Sequence, residues 1–302
     1  MYPDSHQSAP STQPALCSGL DALLATHHID AGQITFLGMG TGNPHWLIAT
    51  ASGHYVWRQF SHTNPGVDRE REVAVMQAIQ GQHWAPELVA VLPSEGLLMR
   101  EAPGKTMTAI QQDGMTLADR QRTLILQAVI DCWQIREALP LCNYSELIHQ
   151  YAQLARQNVL SANEFNAKEL SAEELNAEAL NNEELNVEQI NALSEALLRE
   201  CADWPTAEAC LTHHDLHPGN LLLTEDHCTL IDWEFASLGN PWLDAVMLDQ
   251  MLTLTPAEKQ RLEVALVHYP LPPLTSKQPW KALGYWKARF DQLWYLAMPS
   301  RE

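Results

Sequence analysis

The sequence predicts an α+β protein with a small antiparallel sheet in its first third and a mainly helical remainder. Three observations carry this. β-rich runs separated by Gly and Pro turns fill residues 34–100, apolar residues fall at helical spacing from about Thr116, and a strand–loop–strand unit at 209–232 sits among the later helices. The 302 residues suffice for two modest domains or one two-lobed domain with a sizeable core, and 46% hydrophobic content is ordinary for a globular protein.

The elements follow in order. Residues 1–14 are polar and read as a disordered lead; they have neither the basic nor the apolar stretch of a signal peptide. From Ile34, a first run ends at Gly38, and "HWLIAT" and "HYVWRQF" follow, joined by the turn signal Ser52-Gly53: an antiparallel meander. "DREREVAVMQAI" reads as a helix with an acidic start and with Val73, Met76 and Ile79 at helical spacing. "PELVAVLPSEGLLMREAPG" supplies two more short strands around a Pro/Gly turn, and Thr116 to Gln157 is mostly helical.

Residues 163–193 are different in kind: the units NAKEL, SAEEL, NAEAL, NNEEL and NVEQI follow in tandem. Five residues advance a helix by about 140° beyond one turn, so Leu170, Leu175, Leu180 and Leu185 spread around the axis. Each unit opens on Asn or Ser, and three place Glu three residues later, a capping signature repeated too often to start a helix each time. Residues 161–200 hold ten acidic and two basic side chains, which is eight of the net negative charges. The positions two before each leucine are mostly Glu or Gln, too large and polar for the inside of a pentapeptide solenoid. The stretch reads as a low-complexity insertion, partly helical or mobile, without a catalytic role. Beyond it come Ala209–Asp232 and further helices, the last carrying Leu283, Trp286, Phe290, Leu293 and Trp294 at helical spacing, an aromatic stripe that reads as core.

The formal net charge of −19 argues against nucleic acid as the partner and is compatible with a cationic small molecule. Six scattered cysteines form no CxxC pair, which excludes a zinc ribbon or dense disulfide framework and implies reduced, mostly buried thiols. No run reaches the roughly 18 apolar residues of a membrane helix. The expected setting is the cytoplasm, with no membrane partner; nothing in the sequence specifies an oligomeric state.

The chemistry concentrates in "HHDLHPGN", His213 to Asn220. Two readings compete. His213, His214 and His217 supply nitrogen donors for a metal, but Pro218-Gly219 closes the window and no HExxH glutamate is present. Phosphoryl transfer needs a carboxylate near the attacking oxygen and ligands for a magnesium ion on the phosphates. Here His213-His214-Asp215 is followed by Asn220, then by the hairpin "LLLTEDHCTLID" ending at Asp232, which returns Asp232 to the neighbourhood of Asn220. Asn and Asp offer hard oxygen ligands suited to Mg²⁺, and Asp215 is left to accept or orient a substrate hydroxyl.

The stretch "LTHHDLHPGNLLL…CTLIDWEFASLGNPWLD", with Gly239 and Asp244 in order, resembles the aminoglycoside phosphotransferase and choline kinase superfamily. That resemblance covers about 34–300, outside the repeats. It implies a bilobal protein-kinase-like fold, with an N-lobe over 15–102 and a helical C-lobe over 103–302 interrupted by 163–193. "IDWEFA", "GMGTGN" and "YVWRQF" look most like bacterial thiamine kinases and choline kinase relatives. The activity implied is ATP- and Mg²⁺-dependent phosphorylation of an alcohol of a small, cationic metabolite. Thiamine leads; choline or an aminoglycoside is the alternative, followed by a histidine-rich metallohydrolase and a non-catalytic binding protein of kinase fold.

The same resemblance assigns the remaining residues. Gly38, Gly40, Gly42 and Asn43 in the "GMGTGN" turn cover nucleotide phosphates; a Rossmann reading fails because a strand and not a helix follows, and "PGKT" lacks the Walker glycine at Met99. Arg58 stands where related kinases carry Lys, a planar fork in place of a point charge, with Glu72 as its helix partner and Glu70 as the alternative. Arg100 and Glu101 form the hinge meeting the adenine. Asn220 and Asp232 bind metal, Asp215 is catalytic, and His213 and Asp244 support the loop. Trp233, Glu234 and Trp242 are candidate acceptor contacts, through cation–π contact and charge.

Overall fold

The structure, a computed structural model, describes residues 15–39, 42–61, 64–136, 138–169 and 186–298. In chain order the first elements are α1 (Leu20–Thr26), β1 (Gln33–Met39), β2 (Pro44–Thr50), β3 (Gly53–Gln59), α2 (Arg69–Ala78), β4 (Leu88–Leu92) and β5 (Gly96–Arg100). Then come β6 (Lys105–Thr106), α3 (Met107–Gln112), α4 (Asp119–Cys132), α5 (Tyr144–Glu169), α6 (Val187–Cys201) and β7 (Cys210–Thr212). A 3₁₀ turn (Pro218–Asn220), β8 (Leu221–Leu223), β9 (Cys228–Leu230), β10 (Ser237–Gly239), α7 (Trp242–Leu252), α8 (Pro256–Ala265), α9 (Pro273–Ser276) and α10 (Pro279–Ala297) complete it.

The chain forms two compact units: residues up to Ala128 together with Pro218–Glu234, and Val129–His217 together with Phe235 onward. The hairpin β8–β9 therefore belongs with the sheet half, although it lies far along the sequence.

In the first unit the expected meander is present, in a five-stranded antiparallel sheet of order β1-β2-β3-β5-β4. Alternation along β2 and β3 drives one face inward: Trp46, Ile48, Tyr55 and Trp57 pack with Leu20 and Leu24 of α1 and with Ala90 and Leu98. Each such side chain contributes roughly 1.5–3 kcal/mol by leaving water. The helix expected at 68–79 is α2, capped by Asp68, whose side chain accepts the Glu70 and Arg71 N–H groups. Its buried face runs Glu72, Val75, Met76, Ile79, so Val73 is only partly buried and a carboxylate takes an inward position. The short strand β6 joins β8 and β9 in a second small sheet. Gly104 permits this: it sits at φ +117°, and a Cβ there would lie 2.5 Å from the Leu223 carbonyl oxygen.

The second unit is mainly helical. Trp286 of α10 stacks on Phe290 (ring centroids 4.9 Å apart) and packs against Trp204 (4.6 Å), while Phe290 meets Tyr151 of α5 (5.4 Å). The aromatic stripe of the last helix is core. Eight of the eleven residues of α7 are buried, Asp244 among them, and the exposed Gln250 marks its outer side. Strands β7 and β10 pair antiparallel and present the segment that follows Thr212.

At the repeats, α5 continues through Glu169 and α6 begins at Val187 with a capping box between Asn186 and Gln189. Of the repeated cap signals, the last is used. The remainder of the pentad stretch, 170–185, lies outside the described residues, as do 1–14. The cysteines form no disulfide, and five of the six are buried. Among the described residues no helix is long and apolar enough to cross a membrane.

Candidate active site

The first unit gathers a polar cluster on β3, α2 and the segment after β9. Arg58, 3% exposed, bonds Glu72 through Nη1, and its Nη2 bonds Asp232 Oδ1 at 2.9 Å and Glu234 Oε2 at 2.7 Å. The pairing with Glu72 follows from register, because Glu72 sits on the buried face of α2; Glu70 is exposed. Arg69, one turn earlier on α2, reaches Glu72 Oε2 at 2.7 Å, Glu234 Oε2 at 3.1 Å and Asn43 Oδ1 at 2.9 Å. Its guanidinium also lies over the Phe60 ring at 4.7 Å. Arg69 was not singled out from the sequence; the signal was an Arg three residues before the glutamate expected to pair. Burial, with the Arg58 charge beside it, lowers Arg69 from its ordinary value. Burial and Arg58 also push the His45 imidazole, opposite Arg58 on β2, down to about 4, so it is neutral at pH 7.

Asn220 and Asp232 do return to one end of the β8–β9 hairpin, where the Ile231 N–H donates to the Asn220 carbonyl at 3.0 Å. Asn220 is buried, and Asp232 adopts φ +64°, a conformation that Asp tolerates better than most residues. Their amide and carboxylate oxygens fit a hard divalent cation. Among the described residues no group of three or more His, Cys, Asp or Glu is placed to hold a metal. Two protein oxygens are compatible with Mg²⁺, an ion commonly held by few side chains, and Asn220 and Asp232 would be the residues to hold it.

The other expected residues of this unit divide. Gly38, at a bulge in β1 with φ +147°, and Gly42, at φ +142°, hold backbone that favours glycine; Gly40 lies outside the described residues. The Asn43 side chain is 1% exposed and engaged by Arg69 and by Glu234 (Nδ2 to Oε2, 3.0 Å), so it ties the end of the glycine turn to the cluster instead of facing a ligand. Arg100 and Glu101 donate their N–H groups to the Glu87 and His54 carbonyls, so neither N–H remains for an adenine. Trp233 is 1% exposed, packs on Trp84 and donates its indole N–H to the Leu230 carbonyl at 2.9 Å. Glu234 is wholly buried. Neither side chain presents a surface to an acceptor, because internal hydrogen bonds stabilise both in the interior.

The second unit builds the Asp215 loop. Asp244, at the start of α7, is fully buried and accepts the His213 N–H at 2.9 Å, the His214 N–H at 3.0 Å and the Trp133 indole N–H at 3.3 Å. Burial raises its carboxyl to about 6 against those three donors. His213 Nδ1 in turn accepts the Asp215 N–H at 3.3 Å. His214, at φ +66°, turns its ring to Tyr144, whose hydroxyl lies 2.8 Å from Nε2. The same hydroxyl accepts the Asn240 N–H at 2.8 Å. Gly239 is required beside them: a Cβ would lie 2.6 Å from both His214 Nε2 and the Tyr144 hydroxyl. Leu216 is buried, which leaves Asp215 turned outward and half-buried, with His217 Nε2 at 3.8 Å. The His213 ring meets the Asp215 N–H, the His214 ring the Tyr144 hydroxyl and the His217 ring the Asp215 carboxylate, and among the described residues they form no convergent zinc site. Trp242 is buried against Trp280, 5.5 Å between rings.

A family model described as the phosphotransferase enzyme family matches residues 33–273, and the chain belongs to that family, a small-molecule kinase by class. No curated sequence matches significantly. Among solved structures, the choline kinase of Streptococcus pneumoniae is similar with a TM-score of 0.60 and 17% identity, over 92% of this chain and 89% of that one. Spectinomycin phosphotransferase, in complex with ADP and spectinomycin, gives 0.60 and 14%, over 94% and 87%. The ethanolamine kinase of Plasmodium vivax gives 0.55 and 15%, over 87% and 76%. At these identities the likeness is one of fold: the protein-kinase-like class with its small antiparallel sheet and helical part.

Proposed function

We propose that the protein uses ATP and Mg²⁺ to phosphorylate an alcohol group of a small cationic metabolite in the cytoplasm, with thiamine the favoured acceptor. The observation that carries the reading is the Asp215 loop. A carboxylate turned outward, with its backbone held by His213 and Asp244, follows the form of a phosphotransferase loop in a chain of that family. Asp215 orients the acceptor hydroxyl and takes its proton as that oxygen bonds the γ-phosphorus of ATP, while the bond from the γ-phosphorus to the bridging oxygen breaks and ADP leaves. Arg58, held by Glu72, supplies positive charge to the nucleotide phosphates, and the glycine turn at 38–43 covers them. Asn220 and Asp232 would hold magnesium, which would neutralise charge on the phosphate oxygens.

Three considerations support a cationic acceptor: the strongly acidic chain, with formal charge −19, and the choline and ethanolamine named for two of the structural neighbours. Thiamine rests on the resemblance of "IDWEFA", "GMGTGN" and "YVWRQF" alone. The test is ATP consumption with magnesium across thiamine, choline, ethanolamine and an aminoglycoside. Turnover with thiamine confirms the acceptor, turnover with another alcohol replaces it, and failure to bind ATP at all overturns the kinase reading.

A further inference from the structure

Arg58 and Glu72 are not an isolated pair. Glu72 bonds Arg58 through Oε1 and Arg69 through Oε2, and both guanidinium groups converge on Glu234 Oε2, at 2.7 and 3.1 Å. The four side chains form a closed ring of alternating charge, Arg58–Glu72–Arg69–Glu234, with no net charge of its own. Asp232 hangs from the ring through Arg58 Nη2. Asn43 braces it, accepting from Arg69 and donating to Glu234.

Arg58, Glu72 and Glu234 are all at least 96% buried, where an unmatched charge is strongly unfavourable. Without Arg69, two buried carboxylates would face one guanidinium that must also serve Asp232. The attraction of Glu72 and Glu234 would then draw the fork inward and alter its hold on Asp232. A lysine at position 58 could not close such a ring, since the closure uses both amino groups of a planar fork.

We propose that Arg69, with Glu234, is a positioning residue for nucleotide binding: it balances the two buried carboxylates, so that Arg58 is set for the phosphates and Asp232 for the metal. The inference rests on the proposed function, in which this unit handles Mg-nucleotide. It assigns Glu234 to the ring and gives Arg69 a role that acts through Arg58.

The test is direct binding of Mg-ADP by calorimetry to wild type, Arg69→Met, Arg58→Gln and the double variant, with melting temperatures recorded without ligand. A residue acting only through Arg58 loses its influence once Arg58 is gone. Arg69→Met is expected to weaken Kd about tenfold in the wild-type background, equivalent to ~1.4 kcal/mol, and less than about twofold in the Arg58→Gln background. An equal loss in both backgrounds, or no loss in the first, overturns the proposal, as does a lowered melting temperature with Kd unchanged. Should a variant fail to fold, Arg69→Lys decides: the retained charge recovers part of the loss if balance matters, and recovery of nothing rejects it. Absence of Mg-ADP binding by the wild type overturns the function itself, which separates that failure from failure of the ring alone.

Discussion

Asp232 and Asp215 lie in different units and are held by different physics. Asp232 is grasped by its side chain: Arg58 donates to its carboxylate, and Arg58 is itself locked by Glu72 and Glu234. Asp215 is placed by its backbone: its N–H reaches His213, whose own N–H reaches Asp244, and the carboxylate is left turned outward. Both sites include a residue in left-handed backbone, Asp232 itself and His214 beside Asp215, a conformation that persists only where the surroundings enforce it. Charge positions the one carboxylate, and hydrogen-bonded geometry the other.

The sharpest test of that contrast is Asp215→Ala. Transfer should fall about 10²–10⁴-fold while Mg-nucleotide Kd stays within about twofold. A rate near wild type would remove Asp215 from the chemistry.

Next in size is Asp244→Asn. One amide oxygen cannot replace two carboxylate oxygens accepting three N–H groups, and the amide NH₂ would face a donor. Expected are about 2–3 kcal/mol of lost stability and a kcat lowered about tenfold to a hundredfold through misplacement of the loop. The pH dependence has a definite sign. The Asp244 carboxyl lies near 6 in the fold, above its ordinary value of 3.8. Its contribution is therefore full below about pH 4 and is lost as pH rises through about 6. The gap in melting temperature between wild type and Asp244→Asn should narrow over that window; a gap that widens would show that the buried group is held ionised.

Arg58→Lys probes the other side of the comparison. A single ammonium cannot serve Glu72, Asp232 and Glu234 with the geometry of the fork, so Mg-ADP binding should weaken about tenfold. Unchanged affinity would mean that a point charge suffices. The smallest effect is expected from Tyr144→Phe, which removes the hydroxyl shared by His214 and the Asn240 N–H: about 1 kcal/mol in chemical denaturation, with kcat changed less than about threefold. A larger kinetic loss would show that the His214 ring, and not Asp244 alone, sets the loop.

Much of the first unit was legible as pattern. The alternation of Trp46, Ile48, Tyr55 and Trp57, the turn at Ser52-Gly53 and the spacing from Asp215 to Asn220 to Asp232 are local signals that the backbone obeys in place. Less legible was which residues a carboxylate or guanidinium would meet. Asn43, Trp233 and Glu234 read as ligand contacts because polar and aromatic residues near a motif invite that reading, yet all three lie in the interior. For Arg69 the spacing to Glu72 was a local signal, but its bond to Glu234, 165 residues away, was not legible, nor was that of Tyr144 to His214, 70 residues away.

What the sequence by itself determined is therefore the class: the strand and helix periods, the loop that holds Asp215 and Asn220, and the hairpin that returns Asp232. These depend on interactions within a few residues, where spacing and side-chain type suffice. Tertiary structure alone decided that two arginines and two glutamates close a neutral ring, and that one buried aspartate gathers three N–H groups behind the Asp215 loop. A charge buried away from water must find its counter-charge or its donors, and the partners it finds are set by folding and not by proximity in sequence.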